Sequence, residues 1–121
     1  MRARRGEHGA VTAEAALVLP VLAAVALALV WMLGLGVAQM RVTDAAREAA
    51  RAIARGDPVA DAEDAAHVAA PGATVQVDGG GHRVRVTVID EVRPPGDLLG
   101  HLGAARVHAT AEALVEGVGS E

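Results

Sequence analysis

Hydrophobic and polar positions follow three different rhythms along this chain, and each rhythm predicts a different kind of element. From Ala15 to Ala38 no charged residue occurs for 24 positions, and Leu17, Val18, Leu19, Val21, Leu22, Val25, Leu27, Leu29, Val30, Trp31, Met32, Leu33, Leu35 and Val37 make the run apolar all round. At 1.5 Å per residue such a run gives ~36 Å of helix, enough to cross a hydrocarbon core of about 30 Å. Too few large apolar side chains remain elsewhere to enclose a helix with no polar face, so the run reads as a membrane span over residues 10–38. From Gln39 the pattern changes without a break. Ala38, Val42, Ala45, Ala46, Ala49, Ala52 and Ile53 recur at spacings of three and four, while Arg41, Asp44, Arg47, Glu48, Arg51 and Arg55 occupy the other side. That periodicity predicts an amphipathic extension of the same helix over 39–55, with Asp44–Arg47 and Glu48–Arg51 pairs on its solvated face.

Gly56 is a C-terminal stop, and Asp57-Pro58 reads as the cap and first residue of a short Ala-rich helix reaching about Ala69. Asp61, Glu63 and Asp64 near its start suit the positive end of the helix dipole and lack the alternating spacing of a calcium loop. After Pro71-Gly72 the period becomes two. Thr74 to Asp78 and Arg83 to Val88 alternate about Gly79-Gly80-Gly81, which predicts a hairpin with Val75, Val77, Val84, Val86 and Val88 on its covered face. Asp97 to Leu102 allows one helical turn, and Arg106 to Leu114 alternates again as a third strand. The expected fold class is α+β: a long N-terminal transmembrane helix continuing into an amphipathic helix, a short second helix, and a small three-stranded antiparallel sheet, arranged as a lollipop. A basic leader over 1–9 precedes it, the small domain covers 56–116, and the tail over 117–121 is expected to lack order.

Composition narrows what such a chain can do. All 11 basic residues are Arg, and the stretch from Asp57 to Glu121 holds 11 acids against 4 Arg, a balance that repels nucleic acid. The single aromatic residue, Trp31, lies in the span, so the remainder has no platform for stacking bases. There is no Cys, Lys or Tyr, Ser120 is the one Ser, and no two of His8, His67, His82, His101 and His108 are three or four apart. Nucleophilic catalysis and a helical metal site are therefore not expected. The reading is of a protein without catalytic residues, metal or cofactor. The triple Gly has no Lys or helix start after it and is not a phosphate loop.

Arg2, Arg4 and Arg5 precede the span, the arrangement that keeps a flank in the cytoplasm, although Arg41, Arg47, Arg51 and Arg55 follow it. The apolar run exceeds the 7 to 15 residues of a signal peptide, and Ala38-Gln39-Met40 is no small-residue cleavage site. Pro20 frees the carbonyl of Ala16 and is expected to kink the helix, while Gly34, Gly36 and Ala38 leave a smooth flank for a neighbouring helix. Glu14 stands at the threshold of the span, where a carboxylate requires headgroups or a partner.

The context of Glu14 is informative. GAVTAE, Gly9 to Glu14, resembles the processing site of type IV pilins, in which a prepilin peptidase cuts after Gly and the fifth mature residue is Glu. With VTAEAALVLPVL from Val11 to Leu22, AAREAAR from Ala45 to Arg51 and the Val/Ala-alternating end, the chain resembles the TadE-like minor pilins, or pseudopilins, of the tight-adherence pilus system. Ala15 departs from the Tyr that typically follows the Glu in major pilins of that system and points to a minor subunit. The resemblance implies a pilin-like fold, cleavage between Gly9 and Ala10, and a role for Glu14 in assembly by pairing with the Ala10 amine of a neighbour. It also implies that other pilins, the pilus assembly machinery, prepilin peptidase and the lipid bilayer are partners. The N-terminus is then cytoplasmic and the C-terminal domain extracytoplasmic, with incorporation in a surface appendage. The alternative is an uncleaved single-span adaptor that binds protein partners through its extracytoplasmic domain.

Overall fold

The computed structural model describes residues 3–96 and 100–115, which form two helices and one sheet in the order α1 (Ala3–Ala54), α2 (Val59–Ala69), β1 (Thr74–Gly80), β2 (Arg83–Val92) and β3 (Ala105–Leu114). The α+β class and the element order are those expected from the hydrophobic rhythm. The chain divides into two compact units, Met1–Leu33 and Gly34–Glu121.

In the first unit every described residue from His8 to Val30 is exposed, including Leu17 at 75%, and Leu33 is 71% exposed. Helix α1 starts earlier than Val11 because Arg, Glu and Ala of the leader are good helix formers, and Gly6 and Gly9 are not enough to stop propagation. It also runs through Pro20, whose missing N–H leaves the Ala16 carbonyl without its usual helical donor.

In the second unit the Ala-lined face of α1 forms the core with α2 and the sheet. Ala38, Val42, Ala45, Ala46, Ala49, Ala52 and Ile53 are buried, as the spacing predicts, together with Ala50. Ala62 and Ala66 from α2 and Val86, Val88, Val107 and Ala113 from the sheet join them in one cluster. Val42, Val86 and Val88 are the largest fully enclosed side chains among the described residues. Each contributes roughly 1.5–3 kcal/mol by burial. Small side chains dominate the rest, so each adds a smaller gain by burial than these valines do.

The connections follow from local chemistry. Gly56 has φ +89°, and its N–H bonds the Ile53 carbonyl (2.9 Å) while the Asp57 N–H bonds the Ala52 carbonyl (3.0 Å). This paired arrangement satisfies the last carbonyls of α1. The expected cap of α2 is corrected: Pro58 is the N-cap residue, and it offers no side-chain hydrogen bond. The Asp57 carboxylate instead accepts from Arg55 at 3.2 Å. A turn about Pro71-Gly72 closes with Ala73 N–H to Ala70 O at 3.2 Å, and His67 Nε2 donates to the Ala73 carbonyl at 3.1 Å. Of the two ion pairs expected on α1, Glu48–Arg51 is present at 3.7 Å, and Arg47 has no carboxylate within 4.0 Å among the described residues. Such exposed pairs contribute too little to fix a long side chain.

The sheet has the order β1-β2-β3 with both pairings antiparallel. The hairpin loop is tighter than three glycines suggest. Gly79 and Gly80 pair with Val84 and Arg83, leaving Gly81-His82 as the two central residues. Gly81 has φ +65°, and no non-Gly residue among those described has positive φ, the type II′ pattern that matches the twist of the strands. Strand β2 extends past Val88 to Val92 because Ile89 to Val92 find partners from Ala105 to His108, with Arg106 bonding Glu91 at 3.3 Å. The turn foreseen over Asp97 to Leu102 lies partly outside the described residues; at its margin the Gly100 N–H bonds the Gly96 carbonyl at 3.1 Å. The tail over 117–121 lies outside them entirely.

Candidate functional site

Gly9, Ala10 and Glu14 lie close together on the first unit's helix. Ala10 and Glu14 are four residues apart, hence on one face and about 6 Å apart along the axis. All three are exposed, and an added Cβ at Gly9 would meet nothing within 4 Å. One turn away, Thr12 Oγ1 returns its hydrogen bond to the His8 carbonyl at 2.9 Å, so this hydroxyl is internally satisfied. Gly34 and Gly36 are equally open, since a Cβ added to either would meet no atom within 4 Å. The Trp31 indole Nε1 is occluded from solvent and has no hydrogen-bond partner among the described residues.

The second unit shows where polar side chains converge and what chemistry they can support. On the solvent face of the sheet, Arg85 is placed opposite both Asp78 and Glu112. Its Nη2 and Nε reach Glu112 Oε1 at 2.8 and 3.0 Å. The hydrogen bond from Arg85, then its charge, hold the Glu112 carboxyl below its ordinary range, with the charge of Arg83 as a smaller contributor. Asp78, Arg83, Arg85 and Glu112 border a shallow depression of about 310 Å³. A lowered carboxylate beside Arg is the state of a surface ion pair rather than of a general base. No group of three or more His, Asp or Glu able to hold a metal occurs among the described residues. The sequence patterns foresee neither the Arg85–Glu112 pair nor the bond from Gln39 Nε2 to the His108 carbonyl at 3.0 Å. The partners are 27 and 69 positions apart, so only the strand register and the packing of α1 join them.

The geometry defines a class: an α+β protein in which one helix among the described residues, near the N-terminus, is long and apolar enough to be compatible with a single-pass membrane anchor. Residues 9–51, about a third of the chain, match the family model of TadE-like proteins, which supports a TadE-like protein of the tight-adherence pilus system. That family is structural rather than enzymatic. The match spans Gly9, Ala10, Glu14, Pro20 and the Ala-lined face of α1 up to Arg51. No curated protein and no solved structure matches the chain.

Proposed function

We propose that this protein is a minor pilin, or pseudopilin, that serves as a structural subunit or assembly factor of a tight-adherence type IV pilus. The observation that carries the reading is GAVTAE at the head of an apolar helical stretch, exposed from His8 to Val30, within the family match. In this reading α1 rests in the bilayer with its N-terminus cytoplasmic and the C-terminal domain extracytoplasmic. Prepilin peptidase removes residues 1–9 and frees the amine of Ala10, after which the helix passes into a bundle with other pilins. Glu14 of one subunit then pairs with the Ala10 amine of the next, a contact strengthened by the low dielectric among helices. Pro20 bends the helix within that bundle. Gly6 and Gly9 each weaken the helix by about 1 kcal/mol relative to Ala, which eases the local opening that cleavage of a helical bond requires.

Intact-mass analysis of the protein isolated from membranes of a host with its prepilin peptidase tests the reading. A chain beginning at Ala10 is expected, and Gly9→Leu is expected to retain the leader because a bulky side chain at that position obstructs the peptidase cleft. A wild-type chain that keeps residues 1–9 would favour the uncleaved adaptor.

A further inference from the structure

Strand β3 is an edge strand of ten residues, with β2 as its one neighbour in the sheet among the described residues. The Val115 N–H bonds the His82 carbonyl at 2.9 Å, so the odd-numbered residues of β3 direct their backbone groups towards β2. Arg106, His108, Thr110, Glu112 and Leu114 therefore turn theirs to the free edge, and the His108 carbonyl does so visibly, accepting from Gln39. Long edges of this kind are usually blunted by Pro, bulges or charged side chains guarding the edge. Neither Pro nor a bulge interrupts Ala105–Leu114, and the charges of Arg106 and Glu112 are held across the sheet face by Glu91 and Arg85.

A groove of about 270 Å³ runs beside this edge, with Ala50, Ala54, Ala111 and Ala113 as a smooth floor and Arg47 and Arg51 on the helix side. Glu112 also borders it, but its charge is met by Arg85. Arg47 has no carboxylate partner among the described residues, and Arg51 holds Glu48 at only 3.7 Å with most of its side chain exposed. Outward backbone groups at Thr110 and Glu112, a small-residue floor, and the unmatched charge of Arg47 beside the weakly held Arg51 together select an extended chain bearing acids.

We propose that the free edge of β3 and the groove beside α1 dock an acidic, extended segment of a partner protein, which adds to the sheet as a fourth strand. Backbone hydrogen bonds supply the attachment, alternate small or branched side chains sit over the alanines, and Arg47 and Arg51 select the acids. The interaction is independent of cleavage at Gly9.

The test uses the full chain in detergent micelles and two short fluorescent peptides, one alternating Glu with Val and the other alternating Lys with Val. The Glu peptide is expected to bind at least about tenfold more tightly by anisotropy, reflecting charge complementarity. Its binding should slow hydrogen exchange at the Thr110 and Glu112 amides. Arg47→Glu combined with Arg51→Glu should reverse the preference. Thr110→Pro removes an edge donor outside the ladder and should weaken binding about tenfold without changing exchange at Val86. Should Thr110→Pro fail to fold, the charge-reversal pair decides. Equal binding of the two peptides, or of neither, overturns the proposal. So does concentration-dependent self-association that protects Thr110 and Glu112 without peptide, which would assign the edge to a second copy.

Discussion

Single residues carry the boundaries of this fold. Gly56 is the clearest case, because its φ of +89° lets α1 finish with two backbone bonds and turn towards α2. An added Cβ would meet no atom within 4 Å, so the penalty of a substitution is conformational rather than steric. Gly56→Ala is expected to destabilise the folded second unit by about 1–2 kcal/mol, read as a lower urea midpoint for the full chain in micelles. An unchanged midpoint would mean that the chain reaches α2 by another route. The stop at Gly56 was legible because a glycine ends an otherwise periodic helix. The absence of a side-chain cap at Asp57 was not, since its carboxylate had two local choices and took the Arg55 guanidinium.

At the scale of elements, α1 beyond the span and the sheet hold each other through small side chains. Ala45 and Ala49 are fully buried, and Ala46 nearly so, which leaves a larger side chain at these positions to displace its neighbours. Ala49→Leu is expected to cost about 1–3 kcal/mol through overpacking, whereas Leu at exposed Ala54 should change stability by less than ~0.5 kcal/mol. Thermal unfolding of the two variants followed by circular dichroism separates these outcomes. If Ala49→Leu matched the wild type, the close packing of α1 on the sheet would be wrong. The covered face of the β1–β2 hairpin could be read from alternation alone. The extra pairs of β2 could not, because Asp90 and Glu91 are poor strand formers that pairing with β3 overrides.

For the whole molecule, the Met1–Leu33 unit exposes an apolar helix, whereas the Gly34–Glu121 unit encloses Val42, Ile53, Val86 and Val88 in a core while Val68 and Leu114 stay exposed, so different environments must satisfy the two units. Under the proposed function, Glu14→Gln should leave cleavage and the folded sheet intact while reducing co-purification with pilin partners. A buried Ala10–Glu14 pair between subunits that loses one member is weakened by about 3–5 kcal/mol, because the remaining amine has no counter-ion. An exposed pair loses about 1 kcal/mol or less, and assembly would survive. Undiminished recovery of partners would remove Glu14 from the assembly contact. The sequence by itself determined the apolar span, the continuation of α1 to its glycine stop, the covered face of the hairpin and the GAVTAE motif, because each is written in a local period or in adjacent residues. Tertiary structure alone decided the Arg85–Glu112 and Gln39–His108 contacts and the open edge of β3. These depend on which strand lies outermost and on the register that brings distant residues side by side, and no local period encodes either.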